Sequence, residues 1–284
     1  MTEPRQIVVS HFQMKPLLDA RRSGATVASI SLDLERSTTD VQFTPDGVLF
    51  PDGQRLPWAT IEDIAANDTA CFLIESNAAT KIQAYSEALN RFYSLMPTAK
   101  APTVLISGIP MHRIKDTDPI TDTRWKIRAI APIVGRVLDT ATGLGYTAIE
   151  AAKTADQVVT IELDPTVQDV ARLNPWSREL FDNPKIQRLY NDAFDEIEHF
   201  DEGAFARIIH DPPTFSLAGH LYSTDFYRQL YRVLKRGGRL FHYVGDPDSP
   251  SGRRTTGGVV RRLQEAGFTQ ISPYPHAYGV VARK

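Results

Sequence analysis

The sequence predicts an α/β fold resting on a mostly parallel sheet in its second half, preceded by a smaller β-rich segment. Three observations predict it. From about residue 124 onward, short apolar runs alternate with helical segments, the rhythm of a parallel sheet covered on both faces. The run RVLD ends at Asp139 and passes through a glycine-bearing loop, Thr140 to Gly145, into a helix. Acids close three consecutive runs, at Asp139, Glu162 and Asp192. In such a sheet a ligand sits at the carboxyl ends of the strands, so the chemistry is expected in the second half.

The elements follow in order. Residues 26 to 58 read as short alternating runs broken at Pro45-Asp46-Gly47 and Pro51-Asp52-Gly53. Pro presets φ there and Gly accepts positive φ, which predicts turns and a small antiparallel meander. Trp58 to Ala66 predicts a short helix and Ala70 to Glu75 a strand. In Lys81 to Met96, the residues Ile82, Tyr85, Leu89 and Phe92 recur at helical spacing and Pro97 stops the run, predicting one amphipathic helix. The division is therefore expected to be an N-terminal β-plus-helix module over 1–100 and the parallel-sheet domain over 101–284. In the latter, strands are predicted at 136–139, 157–162, 185–191, 206–211, 238–245, 269–273 and 278–282. Helices are predicted at 146–153, 165–173, 194–200, 224–234 and 256–266. There is no internal repeat.

Composition narrows the classes. The 284 residues are 42% hydrophobic and 23% charged, ordinary for a globular chain and excluding wholesale disorder. With 32 Lys+Arg against 34 Asp+Glu, net −2, no global basic field exists to hold nucleic acid. The single Cys71 excludes an intramolecular disulfide framework and a cysteine-based zinc cage, so no metal is expected. No apolar run approaches ~18 residues and the first residues lack a signal pattern, which predicts a cytoplasmic protein without a membrane partner.

Gly143-Leu144-Gly145-Tyr146-Thr147-Ala148 fits the dinucleotide pattern G-x-G-x-x-A. Asp139 argues against that reading, because an acid at the strand end repels a pyrophosphate yet accepts hydrogen bonds from a ligand ammonium. Glu162 ends the next strand, where a carboxylate can grip both ribose hydroxyls. Asp192 ends the third and can accept from an adenine amino group. Each acid can also simply cap the helix that follows it.

The segments VLDTATGLGYTAIEAA, VVTIELDP, NDAF, IIHDPPTF and LYRVLKRGGRLFHYVG together resemble the ordered motifs of class I S-adenosylmethionine-dependent methyltransferases over about residues 124 to 284. The resemblance implies a Rossmann-like fold with a seven-stranded sheet and S-adenosyl-L-methionine as cofactor. It assigns Asp139, Ala141, Gly143 and Gly145 to the methionine end, Glu162 to the ribose and Asp192 to the adenine. One departure is Ala141, where that family usually has Gly. The whole chain looks most like a group of predicted methyltransferases best known from archaea.

The fourth strand runs into His210-Asp211-Pro212-Pro213-Thr214-Phe215. Two prolines leave carbonyls without local N–H partners, and Asp211 adds a carboxylate, so together they can hold a planar amine. The segment resembles the (D/N)-P-P-(Y/F/W) motif of amino-methylating enzymes, with Thr214 at the aromatic position and Phe215 left to stack. DPPTFS also resembles a segment of certain ribosomal RNA methyltransferases. The acceptor is expected to be RNA, protein or a small molecule. A competing resemblance joins LYSTDFY and LYRVLKRGG to spermidine synthases, which transfer an aminopropyl group. A non-catalytic ligand-binding module is a third reading. His210, His220 and His242 are candidate bases, each more simply structural. Arg113, Lys115, Arg124 and Lys126 are candidate cations for the ligand carboxylate, and Arg253, Arg254, Arg261 and Arg262 read as a solvated face.

Overall fold

The computed structural model describes residues 6–284. These form two compact units, one holding the residues up to Pro119 together with Thr166–Arg178, the other Ile120–Pro165 with Glu179–Lys284.

The first unit contains β1 (Ile7–Val9), α1 (His11–Arg22), β2 (Val27–Ile30), β3 (Thr39–Thr44), β4 (Gly47–Leu49), β5 (Arg55–Pro57), α2 (Trp58–Ala65), β6 (Phe72–Glu75), β7 (Ala78–Lys81), β8 (Gln83–Ser86), β9 (Arg91–Met96), β10 (Thr103–Ile106) and β11 (Ile109–Pro110). The expected meander is β2-β3-β4-β5, paired antiparallel throughout. Its inner face joins α1 and α2 in one core with Met14, Leu17, Val41, Leu56 and Ile61. Helix α1 has no counterpart among the sequence expectations, although Ser10-x-x-Gln13 is a capping box in which Gln13 Oε1 accepts from the Ser10 N–H at 2.9 Å.

Residues 81 to 96 do not form the expected helix. They make β8 and β9, and β10 pairs antiparallel with β9. Burial runs at period two, with Tyr93 at 1% and Leu95 at 0% exposure while Phe92 points out at 41%. Asn90, at φ 51°, supplies the turn. β10 and β11 continue the sheet of β8 and β9, and the compact unit that holds them runs to Pro119 and takes in Thr166–Arg178. Within this unit Trp176 Nε1 donates to the Leu34 carbonyl at 2.7 Å and Arg36 donates to the Pro175 carbonyl, tying Thr166–Arg178 to the chain after β2.

The second unit comprises α3 (Pro119–Ala129), β12 (Arg136–Asp139), α4 (Tyr146–Ala152), β13 (Gln157–Glu162), α6 (Arg178–Asp182), β14 (Ile186–Tyr190), α7 (Ala193–Glu196), β15 (Phe205–His210), α8 (Phe215–Ala218), α9 (Thr224–Val233), β16 (Leu234–Tyr243), α10 (Pro250–Glu265), β17 (Thr269–Tyr274) and β18 (Gly279–Arg283), while α5 (Pro165–Arg172), between β13 and α6, falls in the first unit. The sheet order is β14-β13-β12-β15-β16-β18-β17, with β18 alone running against its neighbours. This is the α/β Rossmann-like fold of the methyltransferase type. Order reverses at β12, between β13 and β15, so the crevice opens over the ends of these three strands. Central β15 is buried at every position, as a strand covered on both faces must be.

One face packs Leu138, Val159, Ile208 and Leu240 against Phe226, Tyr227 and Leu230 of α9. The other packs Val137, Val158, Ile209 and Phe241 against α3 and α4 through Ile127, Ile130 and Ala148. The expected strands and most expected helices fall where predicted, within a few residues; α10 starts earlier, at Pro250, and α3 and α6 were not anticipated. The C-terminal end of α3 is clamped by Arg207, whose Nε donates to the Ile130 and Pro132 carbonyls at 2.8 and 2.9 Å, and by Arg239 on the Ala131 carbonyl. Cations there satisfy orphan carbonyls and complement the helix dipole. No helix among the described residues is long and apolar enough to cross a membrane.

Candidate functional site

The loop after β12 is shaped by two glycines in the left-handed region, Gly143 at φ 51° and Gly145 at φ 78°. Gly145 starts α4 against Leu180, whose side chain would lie 2.6 Å from any Cβ added there. At Gly143 that space is open, with nothing within 4 Å. A backbone so exposed at a helix N-terminus can approach a ligand closely.

Asp139 is fully buried below this loop. Its Oδ2 accepts from the Thr147 and Thr160 hydroxyls, each at 3.0 Å, while Oδ1 has no hydrogen-bond partner among the described residues. Burial pushes its carboxyl up to about 7, against the pull of the two hydroxyls and of the Ala141 N–H. Glu162 ties the loop to β13: Oε2 accepts from the Gly143 N–H at 2.8 Å and Oε1 from the Asp164 N–H at 3.1 Å. Burial raises its carboxyl to about 7 as well, opposed by those N–H groups. Thr142 completes the turn, its hydroxyl 2.7 Å from that of Thr160 and its N–H on the Ile161 carbonyl. Ala141 lies in the same turn, half-buried.

Asp192 has the helix-capping role that every strand-end acid can have, accepting from the Phe194 N–H at 2.8 Å as the N-cap of α7. Its other oxygen lies 3.0 Å from His220 Nε2, a pairing the sequence did not signal.

Beyond β15, Asp211 is half-buried and Pro212 buried. The Pro213 carbonyl, expected to stand open to an acceptor, takes the Tyr222 hydroxyl at 3.1 Å; the Pro212 carbonyl accepts no hydrogen bond among the described residues. Phe215, 55% exposed, is the most open ring of the corner, edge-on to Tyr222 at 5.4 Å between centroids. Lys126 of α3, expected as a cation for the ligand carboxylate, is instead engaged by two acids of the chain itself. Its Nζ lies 2.6 Å from Asp211 and 3.0 Å from Asp122, and the spacing Asp122-x-x-x-Lys126 was a legible signal. Arg113 and Lys115 lie in the first unit, and Arg124 is exposed on α3.

The histidines separate cleanly. His210 is fully buried with Nε2 2.9 Å from the Leu221 carbonyl. A carbonyl only accepts, so Nε2 carries the hydrogen and Nδ1 takes the Thr140 hydroxyl at 2.7 Å. Burial lowers its imidazole to about 3, and lowers that of His242 as well, whose Nε2 lies 2.7 Å from the Tyr227 hydroxyl. Both stay neutral and enclosed, His210 joining Thr140 of the loop after β12 to Leu221 and His242 pairing with Tyr227 of α9. Of these three candidates, His220 is the exposed one.

The raised carboxyl of Asp139 gives a pH signature. Held above its unfolded value, it contributes to stability below about pH 4 and loses that contribution as pH rises through about 7. A ligand ammonium favours the ionised form and reverses the loss. Stabilisation by S-adenosylhomocysteine is therefore expected to grow from about pH 6 to about pH 8, with proton release on binding near pH 7. Thermal unfolding with and without ligand across that range checks it; an increment that shrinks with pH contradicts the assignment.

Fold and site together define a class I, Rossmann-like unit with a strand-end crevice lined by acids. Among solved structures the chain is similar to a spermidine synthase in complex with the transition-state analogue AdoDATO, at TM-score 0.57 and 19% identity over 73% of this chain and 77% of that one. It is also similar to the spermidine synthase of Thermotoga maritima, at TM-score 0.56 and 20% identity over 72% and 75%. No protein-family model matches the sequence. The uncharacterized protein MJ1233 of Methanocaldococcus jannaschii is 44% identical over 237 residues, covering 83% of this chain and 80% of that protein. The chain belongs to the family of MJ1233. A shorter match, 30% identical over 125 residues, joins 42% of the chain to 23% of the polyamine aminopropyltransferase of Mycobacterium tuberculosis. The one from Aeropyrum pernix is 33% identical over 110 residues, 36% of this chain and 35% of that one.

Proposed function

We propose that this chain is an S-adenosylmethionine-dependent methyltransferase acting on an amino nitrogen presented to Asp211, the acceptor being an RNA base, a protein side chain or a small molecule. The observation that carries the reading is Asp139 Oδ1, a buried carboxylate oxygen that accepts from no side chain among the described residues, beneath a loop whose Gly143 leaves open space. That pairing fits a cationic amino-acid end entering over the loop, with Glu162 beside it for the ribose and Asp192 for the adenine. When bound, the sulfonium supplies an electrophilic methyl carbon; its transfer to an amine leaves a thioether and releases one proton from nitrogen. The chain's own part is to hold the amine, with the outer edge of Asp211 and the Pro212 carbonyl accepting its hydrogens, and to stack a planar group on Phe215. Positioning of this kind supplies most of the rate.

The matches to polyamine aminopropyltransferases favour a second reading, aminopropyl transfer. Against it, β15 ends in one acid followed by two prolines rather than in the acid pair a polyamine cation would use. Competitive calorimetry with S-adenosylmethionine and its decarboxylated form separates the two. Tighter binding of the carboxylated ligand is expected, because a site that pairs a carboxylate is left with unpaired polar groups without it. Preference for the decarboxylated ligand, with putrescine gaining an aminopropyl group by mass spectrometry, would overturn methyl transfer.

A further inference from the structure

Asp122 and Lys126 stand one turn apart on α3 and are both enclosed, at 1% and 3% exposure. The Lys126 ammonium lies 3.0 Å from Asp122 Oδ2, 2.6 Å from Asp211 Oδ2, and 4.9 Å from the centre of the Tyr243 ring. Burial drives an ammonium toward its neutral form. The two carboxylates outweigh it, and Lys126 is held above its ordinary value, charged at every working pH. Asp211 in turn is raised by burial and drawn back by Lys126. Asp122 sits in the first turn of α3, where the helix dipole favours an acid. Its charge reaches Asp211 as well, so the single Lys126 ammonium stands between two carboxylates and offsets part of their combined charge.

We propose that Lys126 determines acceptor specificity: by binding the inner edge of Asp211 it reduces the negative charge the corner shows to an acceptor, so that an uncharged amine is accepted in preference to a cationic one. The inference rests on the reading of Asp211 as the acceptor contact. An uncharged –NH2 donates to the outer edge of Asp211, which retains 19% exposure, and keeps its lone pair for attack. An alkylammonium at the same edge meets a fixed ammonium directly behind the carboxylate. It must also lose a proton before it can react, and a carboxylate committed to Lys126 is a poor base for that purpose.

Calorimetry on the full chain saturated with S-adenosylhomocysteine, titrated with putrescine, tests this. The wild type is expected to show no measurable putrescine binding, and Lys126→Met to gain at least about tenfold, since a like charge has been removed. Lys126→Arg is expected to restore exclusion. Should Lys126→Met fail to fold, the double variant Asp122→Asn/Lys126→Gln removes the buried pair from α3 together and is expected to show the same gain. Wild-type and Lys126→Met proteins that bind S-adenosylhomocysteine but show equal putrescine affinity overturn the role of Lys126 alone. A folded wild type that binds no S-adenosylhomocysteine overturns the cofactor reading beneath it.

Discussion

Replacing Asp211 with alanine is expected to lower methyl transfer by about a hundredfold or more while leaving S-adenosylhomocysteine affinity within about twofold of wild type. The split follows from where the residue sits. Asp211 ends β15, one strand across from Asp139, and nothing in its hydrogen bonding touches the loop from Thr140 to Gly145. Its negative charge also raises the Asp139 carboxyl, so its removal makes Asp139 slightly easier to ionise and does not weaken an ammonium contact. Transfer is read as label moved from methyl-labelled S-adenosylmethionine into extracts of cells lacking the protein. Undiminished labelling by Asp211→Ala would remove the acceptor role and leave the cofactor site standing; because the alanine also strips Lys126 of a partner, Asp211→Asn serves as the milder companion.

Glu162→Ala acts on the other half of the site. Loss of a charged bidentate contact is expected to weaken S-adenosylhomocysteine by roughly 1.5–3 kcal/mol, or tenfold to a hundredfold. A second effect adds to the first, since Glu162 also accepts from the Gly143 N–H and thereby holds the loop in its binding shape. Glu162→Gln separates them, because the amide oxygen can still take that N–H while the charge is gone. Unchanged affinity in the alanine variant would take Glu162 out of the site.

Much of this arrangement could be read from the sequence because its determinants are local. The run RVLD, the glycines at 143 and 145 and the acids at 139 and 162 lie within one strand–helix–strand passage, and chain geometry alone brings Glu162 back beside Gly143. Lys81 to Met96 was misread for the opposite reason. Its apolar spacing satisfies a helix, and what decides for strand is pairing with Thr103–Ile106, which no window over 81 to 96 contains. Lys126 was read as a cation for the ligand carboxylate, because its partner Asp211 lies 85 residues away. The Pro213 carbonyl was expected to be open because Tyr222 returns to it only through the turn after α8.

The clamp at the end of α3 bears on the order in which the molecule can be made. The helix precedes β12 in the chain, yet its C-terminal carbonyls are held by Arg207, 75 to 77 residues later, and by Arg239, 108 residues after Ala131. Lys126, in its last turn, is held by Asp211. A nascent chain that has emerged only as far as β14 therefore carries the whole glycine loop and two of the three strand-end acids without the strands that fix α3 beside them. Sequence-distant pairing of this kind is slow to form and leaves apolar surface open meanwhile. Ile127, Ile130 and Val137 wait for Ile209 and Phe241. The crevice is thus a late product of folding, assembled when the fourth and fifth strands close over an element synthesised long before them.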